Sequence, residues 1–279
     1  MDHLPVPELL PFTARNGSTL YARKYESNAD TAVILLHGIS EDGRYLHPFA
    51  SYLAGSGLAE VYVPDLRGYG PSPERRGDVD YVGQLDDDIE DLLAVVKRDR
   101  PRSKIVMAGH SGGGATALRT LDKAYAEAFD GYLLLAPAIH PSAPINKPSG
   151  PTSTVKVDIP KIVLLTMLNG IGFRLFNHWT VLRNEWPDEK KHPGAALELS
   201  YRMAASRILG SKYGKTLRKL TKPALVLVGS EDEQFLADRY APFLAELNKA
   251  EVIVVPGSNH DGILTNERTF METARWLSS

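Results

Sequence analysis

The fold is decided at residues 105–115, which read IVMAGHSGGGA. Four apolar residues lead into a G-x-S-x-G pattern centred on Ser111, and a helix-forming segment, residues 115–121, follows. This order predicts a buried strand, a sharp turn and a helix. Larger side chains at Gly109 and Gly113 would collide where the strand folds back into the helix. We therefore expect Ser111 to stand exposed at the end of the strand.

A serine in such a turn is typical of a nucleophile. The turn opens a helix, so the first N–H groups, above all that of Gly112, point toward whatever binds at Ser111. A serine hydroxyl is a weak nucleophile at neutral pH, and it needs a base that is itself oriented by a third group. The stretch thus predicts a catalytic Ser111, and the alternative is an ordinary glycine-rich strand-to-helix turn.

Strand and helix patterns alternate on both sides of this turn. Apolar runs that predict strands lie at residues 31–36, 60–64, 104–108, 131–135, 224–229 and 252–255. Helical patterns lie at residues 46–53, 82–96, 236–247 and 267–277. An Asn16-Gly17 turn predicts an antiparallel N-terminal hairpin. We expect an α/β fold with a mostly parallel central sheet, helices on both faces and a ligand site beyond the carboxyl ends of the strands.

The alternation stops after Ala136. Residues 137–150 hold four prolines and no periodic pattern, which predicts a connection. Residues 159–220 show helical stretches, 159–176 and 195–209, without interleaved strands. We expect a core formed by residues 1–137 and 221–279, with a helical cap, residues 138–220, inserted after strand 6.

The predicted helix over residues 82–96 carries a run of acidic side chains. They are Asp86, Asp87, Asp88, Glu90 and Asp91. Most lie off the apolar stripe and near the helix start, where they suit the helix dipole. The pattern favours a solvated helix face over a metal site.

The general base is expected in the loop after the last strand. In this architecture the partners of the serine follow it in the order acid, then histidine. His260 is the histidine that lies beyond the strand at 252–255. It is therefore the predicted base.

The acid could follow the strand ending at Leu135 or the strand ending at Gly229. Residues 137–157 contain no Asp or Glu, whereas Glu231, Asp232 and Glu233 follow the later strand. We predict Asp232 as the acid and its two neighbours as solvated. Asp261 is a reserve, because a side chain reaches the imidazole of its sequence neighbour poorly.

A serine nucleophile also requires two N–H donors for the oxyanion of the tetrahedral intermediate. Gly112 supplies one. His37-Gly38, at the end of the strand over residues 31–36, places the N–H of Ile39 as the second. The alternative, a tight exit turn without this role, stays open.

Composition excludes several classes of function. The 279 residues include no cysteine, which excludes disulfides, thiolate nucleophiles and cysteine metal sites. A formal charge of −2 gives no basic footprint for nucleic acid. The opening Met1-Asp2-His3-Leu4-Pro5 lacks the pattern of a signal peptide, so we expect a cytoplasmic protein. The apolar residues 162–176 are too short and too interrupted to span a bilayer.

Together these residues resemble the α/β-hydrolase superfamily. The resemblance rests on His37-Gly38-Ile39, residues 65–72 (DLRGYGPS), residues 109–113, Asp232 and His260. Glu41, Gly43-Arg44-Tyr45 and Arg75-Arg76-Gly77 are similar to the monoacylglycerol lipase and lysophospholipase group of serine hydrolases. The likeness covers residues 19–135 and 224–277.

For that group the resemblance implies an acyl-enzyme mechanism on small acyl esters. It implies Ser111 as nucleophile, Asp232 and His260 as its relay, Ile39 and Gly112 as oxyanion donors, and no metal or organic cofactor. A thioesterase, a proline-type aminopeptidase and a non-catalytic ligand receptor are the alternatives. Gly112 replaces the methionine common in the group, the His-Gly loop is one residue shorter, and the insertion holds no substrate motif.

The insertion also carries apolar residues that could wall an acyl pocket or contact a lipid surface. They are Ile162, Leu165, Leu168, Phe173, Phe176 and Trp179. The alternative is that they pack the cap against the core. The pattern leaves the oligomeric state undetermined.

Overall fold

The computed structural model describes residues 5–70, 74–148 and 154–279. In chain order its strands are β1 (Leu9–Thr13), β2 (Thr19–Tyr25), β3 (Thr31–Leu36), β4 (Glu60–Asp65), β5 (Lys104–His110), β6 (Gly131–Leu135), β7 (Val155–Val157), β8 (Thr180–Asn184), β9 (Glu198–Ser200), β10 (Ala224–Gly229) and β11 (Glu251–Val255). Its α-helices are α1 (His47–Gly55), α2 (Gln84–Asp99), α3 (Gly112–Arg119), α4 (Ile159–Gly170), α5 (Tyr201–Ser206), α6 (Tyr213–Leu217), α7 (Ala237–Ala245) and α8 (Glu267–Leu277).

In the described part of the chain, eight strands form the central sheet in the order β1-β2-β4-β3-β5-β6-β10-β11. The hairpin β1–β2 and the pair β2–β4 are antiparallel, and the remaining neighbours are parallel. Strands β3, β4, β6 and β10 are buried along their whole length, because helices cover both faces. The predicted mostly parallel sheet with an N-terminal hairpin is confirmed.

Two apolar layers hold the helices to the sheet. Helices α1 and α8 cover one face, where the rings of Tyr52 and Phe270 stack with centroids 4.1 Å apart. Helices α2, α3 and α7 cover the other face. The carboxyl ends of β3, β5, β10 and β11 meet at one edge, so the loops after them share one site.

The prediction of a solvated acidic face on α2 is wrong for Asp86 and Asp88, which are both buried. Asp86 accepts hydrogen bonds from Arg119 of α3 at 2.8 and 2.9 Å, and Asp88 accepts two from Arg67 at 2.7 and 2.8 Å. These buried ion pairs tie the helix to its neighbours. The sequence pattern of α2 alone could not reveal them, because both arginines lie more than twenty positions away.

The insertion follows β6 as expected, but it is not wholly helical. Strands β7, β8 and β9 form a three-stranded antiparallel sheet within it. They are three to five residues long, too short for a periodic pattern to show. Helix α4 ends at Gly170 instead of reaching Phe176, because Gly172 takes the left-handed conformation that terminates a helix. The boundaries at residues 138 and 220 stay a prediction.

Among the described residues, no helix is long and apolar enough to cross a membrane. Pro71 and Ser72 of the motif over residues 65–72, and residues 149–150 of the proline-rich connection, lie outside the described residues.

Candidate active site

Ser111 occupies a strained turn between β5 and α3. Its backbone has φ 53° and ψ −122°, a conformation that residues other than glycine rarely adopt. Two backbone hydrogen bonds hold the turn in place: Ser111 N–H donates to Leu135 O, and Ala138 N–H donates to Ser111 O, each at 2.9 Å. The hydroxyl-bearing residue is half-buried at the open edge of the sheet. Strain of this kind is typical of a functional residue held in place by its surroundings.

The two outer glycines of the motif are required by space. A Cβ on Gly109 would lie 2.4 Å from the backbone of Gly113, and a Cβ on Gly113 would lie 2.1 Å from Leu36 O. Backbone atoms cannot move aside as a flexible side chain can. The collision predicted from the sequence is therefore present at both positions.

We expect Gly113→Ala to lower the free energy of unfolding by about 3 kcal/mol, because its methyl group would overlap the carbonyl of β3. Gly170→Ala is the matched control, since no atom of the described residues, apart from the neighbouring residues and backbone of its own helix, lies within 4 Å of a Cβ there. It should be neutral or stabilise by up to about 1 kcal/mol. Urea unfolding of both variants checks this, and equal stability of the two would contradict the geometry.

Asp232 and His260 are in direct contact. Imidazole Nδ1 of His260 lies 2.8 Å from Asp232 Oδ2, and both side chains are buried. The other carboxylate oxygen accepts the N–H groups of Gln234 and Phe235 at 2.8 and 2.9 Å. Burial raises the pKa of Asp232, but the bond and charge of His260 and these two N–H groups outweigh it, so the pKa lies below its ordinary value. The carboxylate is thus ionised and holds the imidazole by one nitrogen.

The loop that carries His260 lies beside the serine turn. His110, the residue before Ser111, donates from Nε2 to His260 O at 2.9 Å, and the two rings lie 4.8 Å apart. The N–H of His260 donates to Glu233 Oε2 at 3.0 Å. Asp261 is exposed, and the imidazole nitrogen contacts Asp232 instead. The structure therefore gathers the predicted acid, the predicted base and the serine turn at one edge.

Ile39 and Gly112 also adjoin one another. A Cβ on Gly112 would lie 2.7 Å from Ile39 Cγ1 and 3.4 Å from Ile39 N. The side chain of Ile39 therefore fills the space that a side chain at position 112 would need. This is consistent with glycine at position 112, where the monoacylglycerol lipase and lysophospholipase group commonly has methionine. The two predicted oxyanion donors border the same small volume, and their role stays a prediction.

Two buried histidines support the site without reaching its open edge. His37 donates from Nδ1 to Gly38 O at 2.9 Å and accepts the N–H of Leu66 at Nε2. His110 bonds Tyr45 at Nδ1 as well as His260 O. Burial lowers the pKa of each histidine to about 3, helped at His37 by the charge of Arg207 and at His110 by that of His260. Both rings are therefore neutral at neutral pH.

These two rings make the protein sensitive to acid. Below pH 6.5 the unfolded chain takes up protons that folded His37 and His110 refuse, so stability is lost as the pH falls from 6.5 toward about 3. Each ring contributes up to about 1.4 kcal/mol per pH unit. We expect His110→Asn to flatten the fall in unfolding free energy between pH 6 and 4, and His178→Asn, at an exposed site, to leave it unchanged. Identical slopes in wild type and His110→Asn would contradict this.

Among the residues that the structure describes, one group of side chains has the makeup of a metal site. Ligand atoms of His110, His260 and Asp261 lie within 4.8 Å of one another. Both nitrogens of His110 are engaged by Tyr45 and the His260 carbonyl, and one nitrogen of His260 is engaged by Asp232. The hydrogen bonds leave too few ligand atoms to hold a cation.

Three residues at the site were not predicted from the sequence to act there. Glu233 is exposed as expected, yet its carboxylate accepts the His260 N–H. Tyr45 accepts the Gly38 N–H at 2.8 Å and lies 2.6 Å from His110. Arg207, from the insertion, donates to His37 O at 2.6 Å. The Gly43-Arg44-Tyr45 motif was a signal for Tyr45, whereas nothing in the pattern marked Arg207.

Comparison with known proteins places the chain. A family model described as serine aminopeptidase, S33, matches residues 27–268, which is most of the chain. The chain belongs to this family.

This S33 family member is also similar in sequence to two lipases. The chain is 25% identical over 256 residues to human monoglyceride lipase, covering 89% of this chain and 80% of that protein. It is 30% identical over 120 residues to the lipase LipV of Mycobacterium tuberculosis, a stretch that spans 43% of this chain and only 42% of LipV.

A solved structure supports the fold of the family. A soluble variant of monoglyceride lipase from Saccharomyces cerevisiae, in complex with a substrate analogue, has a TM-score of 0.73 and 18% identity, with 99% of this chain and 96% of that chain covered. The predicted α/β-hydrolase fold and the predicted likeness to monoacylglycerol lipases are confirmed.

Proposed function

We propose that the protein cleaves carboxylic esters of the monoacylglycerol or lysophospholipid type through an acyl-enzyme on Ser111. The observation that carries the proposal is the buried hydrogen bond between Asp232 and His260, which lies beside the strained Ser111 turn. A carboxylate that fixes one imidazole nitrogen leaves the other free to act as a base. The names of the relatives, two of them monoglyceride lipases and one a lipase, support the choice of ester.

The reaction runs in two halves. His260 Nε2 takes the hydroxyl proton as Ser111 Oγ attacks the ester carbonyl, and the N–H groups of Ile39 and Gly112 bind the resulting oxyanion. The intermediate collapses as His260 returns the proton to the leaving alcohol. Water, deprotonated by the same imidazole, then attacks the acyl-enzyme, and the acid is released as His260 returns the proton to Ser111 Oγ. Asp232 stays ionised throughout and stabilises the imidazolium.

A substrate series tests the reaction class. We expect turnover of p-nitrophenyl esters to increase from acetate toward medium and long acyl chains, with monoacylglycerols or lysophospholipids cleaved as well. Preference for the shortest acyl chain would contradict a lipase. Faster cleavage of acyl thioesters or of proline p-nitroanilide than of the matched ester would replace the proposal by one of the two alternative chemistries.

The insertion supports a substrate held in a lipid surface. Its helix α4 and the following loop expose a cluster of apolar side chains, here named the cap apolar surface: Ile159, Val163, Leu164, Met167, Ile171, Phe173 and Leu175. Of the residues predicted for this role, Leu165 packs inward, whereas Phe173 and Trp179 are exposed. Residues 159–179 hold no acidic side chain and include Lys161 and Arg174. An exposed apolar helix without acidic residues suits contact with a lipid headgroup region.

We expect the protein to bind phosphatidylcholine vesicles through the cap apolar surface. The double variant Met167→Glu/Ile171→Glu places two charges where the wild type has side chains that are 69% and 81% exposed. It should lose most vesicle binding in co-sedimentation and keep its turnover of a soluble short-chain ester. Met271→Glu, which changes an exposed methionine of α8, is the control. Equal binding by all three proteins would remove this surface from the proposal. A cytoplasmic location stays a prediction.

A further inference from the structure

Arg207 is a fully buried arginine whose charge no described carboxylate pairs. It follows α5, and its Nη2 donates to the backbone oxygen of His37 at 2.6 Å. The guanidinium lies 5.4 Å above the ring of Tyr69. Among the residues that the structure describes, its Nε and Nη1 have no hydrogen-bond partner. Burial lowers the pKa of Arg207, and the nearby tyrosines oppose that effect. Burying an unpaired charge is costly, so a role that uses the charge is expected.

The carbonyl that Arg207 holds begins a directional hydrogen-bond chain. The same peptide donates its Gly38 N–H to Tyr45 Oη at 2.8 Å, and Tyr45 lies 2.6 Å from His110 Nδ1. His110 Nε2 lies 2.9 Å from His260 O. A carbonyl can only accept, so Nε2 carries the hydrogen and neutral Nδ1 must accept from Tyr45. Each hydrogen bond in this chain therefore has a defined donor and acceptor, from the guanidinium of Arg207 to the carbonyl oxygen of His260.

This hydrogen-bond chain runs next to the proposed oxyanion donor Ile39. Gly38 precedes Ile39, and a Cβ on Gly38 would lie 3.4 Å from Ser111 Cβ. A cation that bonds the carbonyl of a peptide polarises it and strengthens its N–H as a donor, here the Gly38 N–H that Tyr45 accepts, so the peptide that leads into Ile39 is held from both sides. In a buried setting the positive charge also acts on the nearby oxyanion more strongly than it would in water. The ester is neutral and the intermediate is anionic, so this effect favours the transition state over the bound substrate.

We propose that Arg207 is a positioning residue for the reaction: it orients the His37–Gly38 peptide and supplies positive charge behind the oxyanion loop. The inference rests on the proposed function and assigns this task to a residue of the insertion. Arg207 itself touches neither the substrate nor the reacting atoms. Its effect passes through the peptide that leads into Ile39 and through the field of its charge.

A guanidinium with free N–H groups could instead bind a carboxylate or phosphate carried by the substrate. Complete burial between Tyr69 and the His37 carbonyl favours the positioning role, because an anion has no exposed face of Arg207 to reach. The two roles predict different substrate dependence. An anion-binding arginine affects acidic esters alone, whereas a positioning arginine affects neutral and acidic esters equally.

The experiment compares Arg207→Met and Arg207→Lys with wild type on a neutral p-nitrophenyl ester and on its analogue with a terminal carboxylate. For Arg207→Met we expect kcat to fall about 10- to 100-fold on both esters with KM within about two-fold, less than the loss of a direct oxyanion donor. Affinity for an alkylboronic acid, which forms an anionic tetrahedral adduct on serine, should fall by a similar factor. Arg207→Lys, which keeps the charge, should recover most of the loss. Arg218→Met, at an exposed arginine of the same insertion, is the control.

Three results would overturn the inference: a loss confined to the acidic ester, a change in KM alone, or unchanged boronic acid affinity. Urea unfolding establishes that each variant is folded. If Arg207→Met does not fold, Arg207→Lys and Tyr45→Phe test the same hydrogen-bond chain. Tyr45→Phe should lower kcat on both esters. Failure of the proposed function is distinguishable, because the wild type itself would then not hydrolyse either ester.

Discussion

Ser111→Ala is expected to lower kcat for ester hydrolysis on the order of 10⁵- to 10⁶-fold, because the variant has no atom that can form the acyl-enzyme. Its stability should change by less than about 0.5 kcal/mol, since alanine at φ 53° carries the same backbone strain and the hydroxyl is not part of the core. Stopped assays with p-nitrophenyl esters and thermal unfolding measure the two quantities.

The control for this variant is Ser142→Ala, which removes the hydroxyl of an exposed serine in the connection after β6. It should retain wild-type turnover. Wild-type rates in Ser111→Ala would show that the nucleophile lies elsewhere. Loss of rate together with loss of folding would assign Ser111 a structural role instead.

Asp232→Asn is expected to lower kcat about 10⁴-fold. The amide keeps the size of the carboxylate and can still accept the N–H groups of Gln234 and Phe235. It cannot stabilise the imidazolium that forms on His260, and it no longer fixes which imidazole nitrogen carries the hydrogen. The loss should appear in kcat with little change in KM, because the charge matters in the transition state.

Two neighbouring acids provide matched controls for Asp232→Asn. Glu231→Gln and Asp261→Asn each remove one exposed carboxylate, the first next to Asp232 in the sequence and the second next to His260. We expect both to keep kcat within a few-fold of wild type. A loss in Asp261→Asn equal to that in Asp232→Asn would reassign the acid, against the 2.8 Å contact between Asp232 and His260.

The parts that followed from sequence are those with local, repeated signals. The glycines around Ser111 predicted the turn, because backbone crowding there leaves no room for a Cβ. The apolar run of β10 located Asp232 three residues beyond its end, and the periodic stripe of α8 gave both ends of that helix. Each signal lies within one element and its immediate flanks.

The parts that did not follow depend on contacts between distant segments. Asp86 and Asp88 are buried by arginines from other elements, which no pattern within α2 reveals. The short cap strands pair across many residues and carry no period. Arg207 meets His37 across 170 positions, so its proximity to the site required the folded chain.

The most direct test is to treat the protein with a fluorophosphonate and to locate the adduct by peptide mass spectrometry, in wild type and in His260→Ala. We predict one adduct, on Ser111, formed rapidly in wild type and at least about 10³-fold more slowly without the imidazole. No adduct, an adduct on another residue, or equal labelling rates in the two proteins would contradict a serine nucleophile activated by His260.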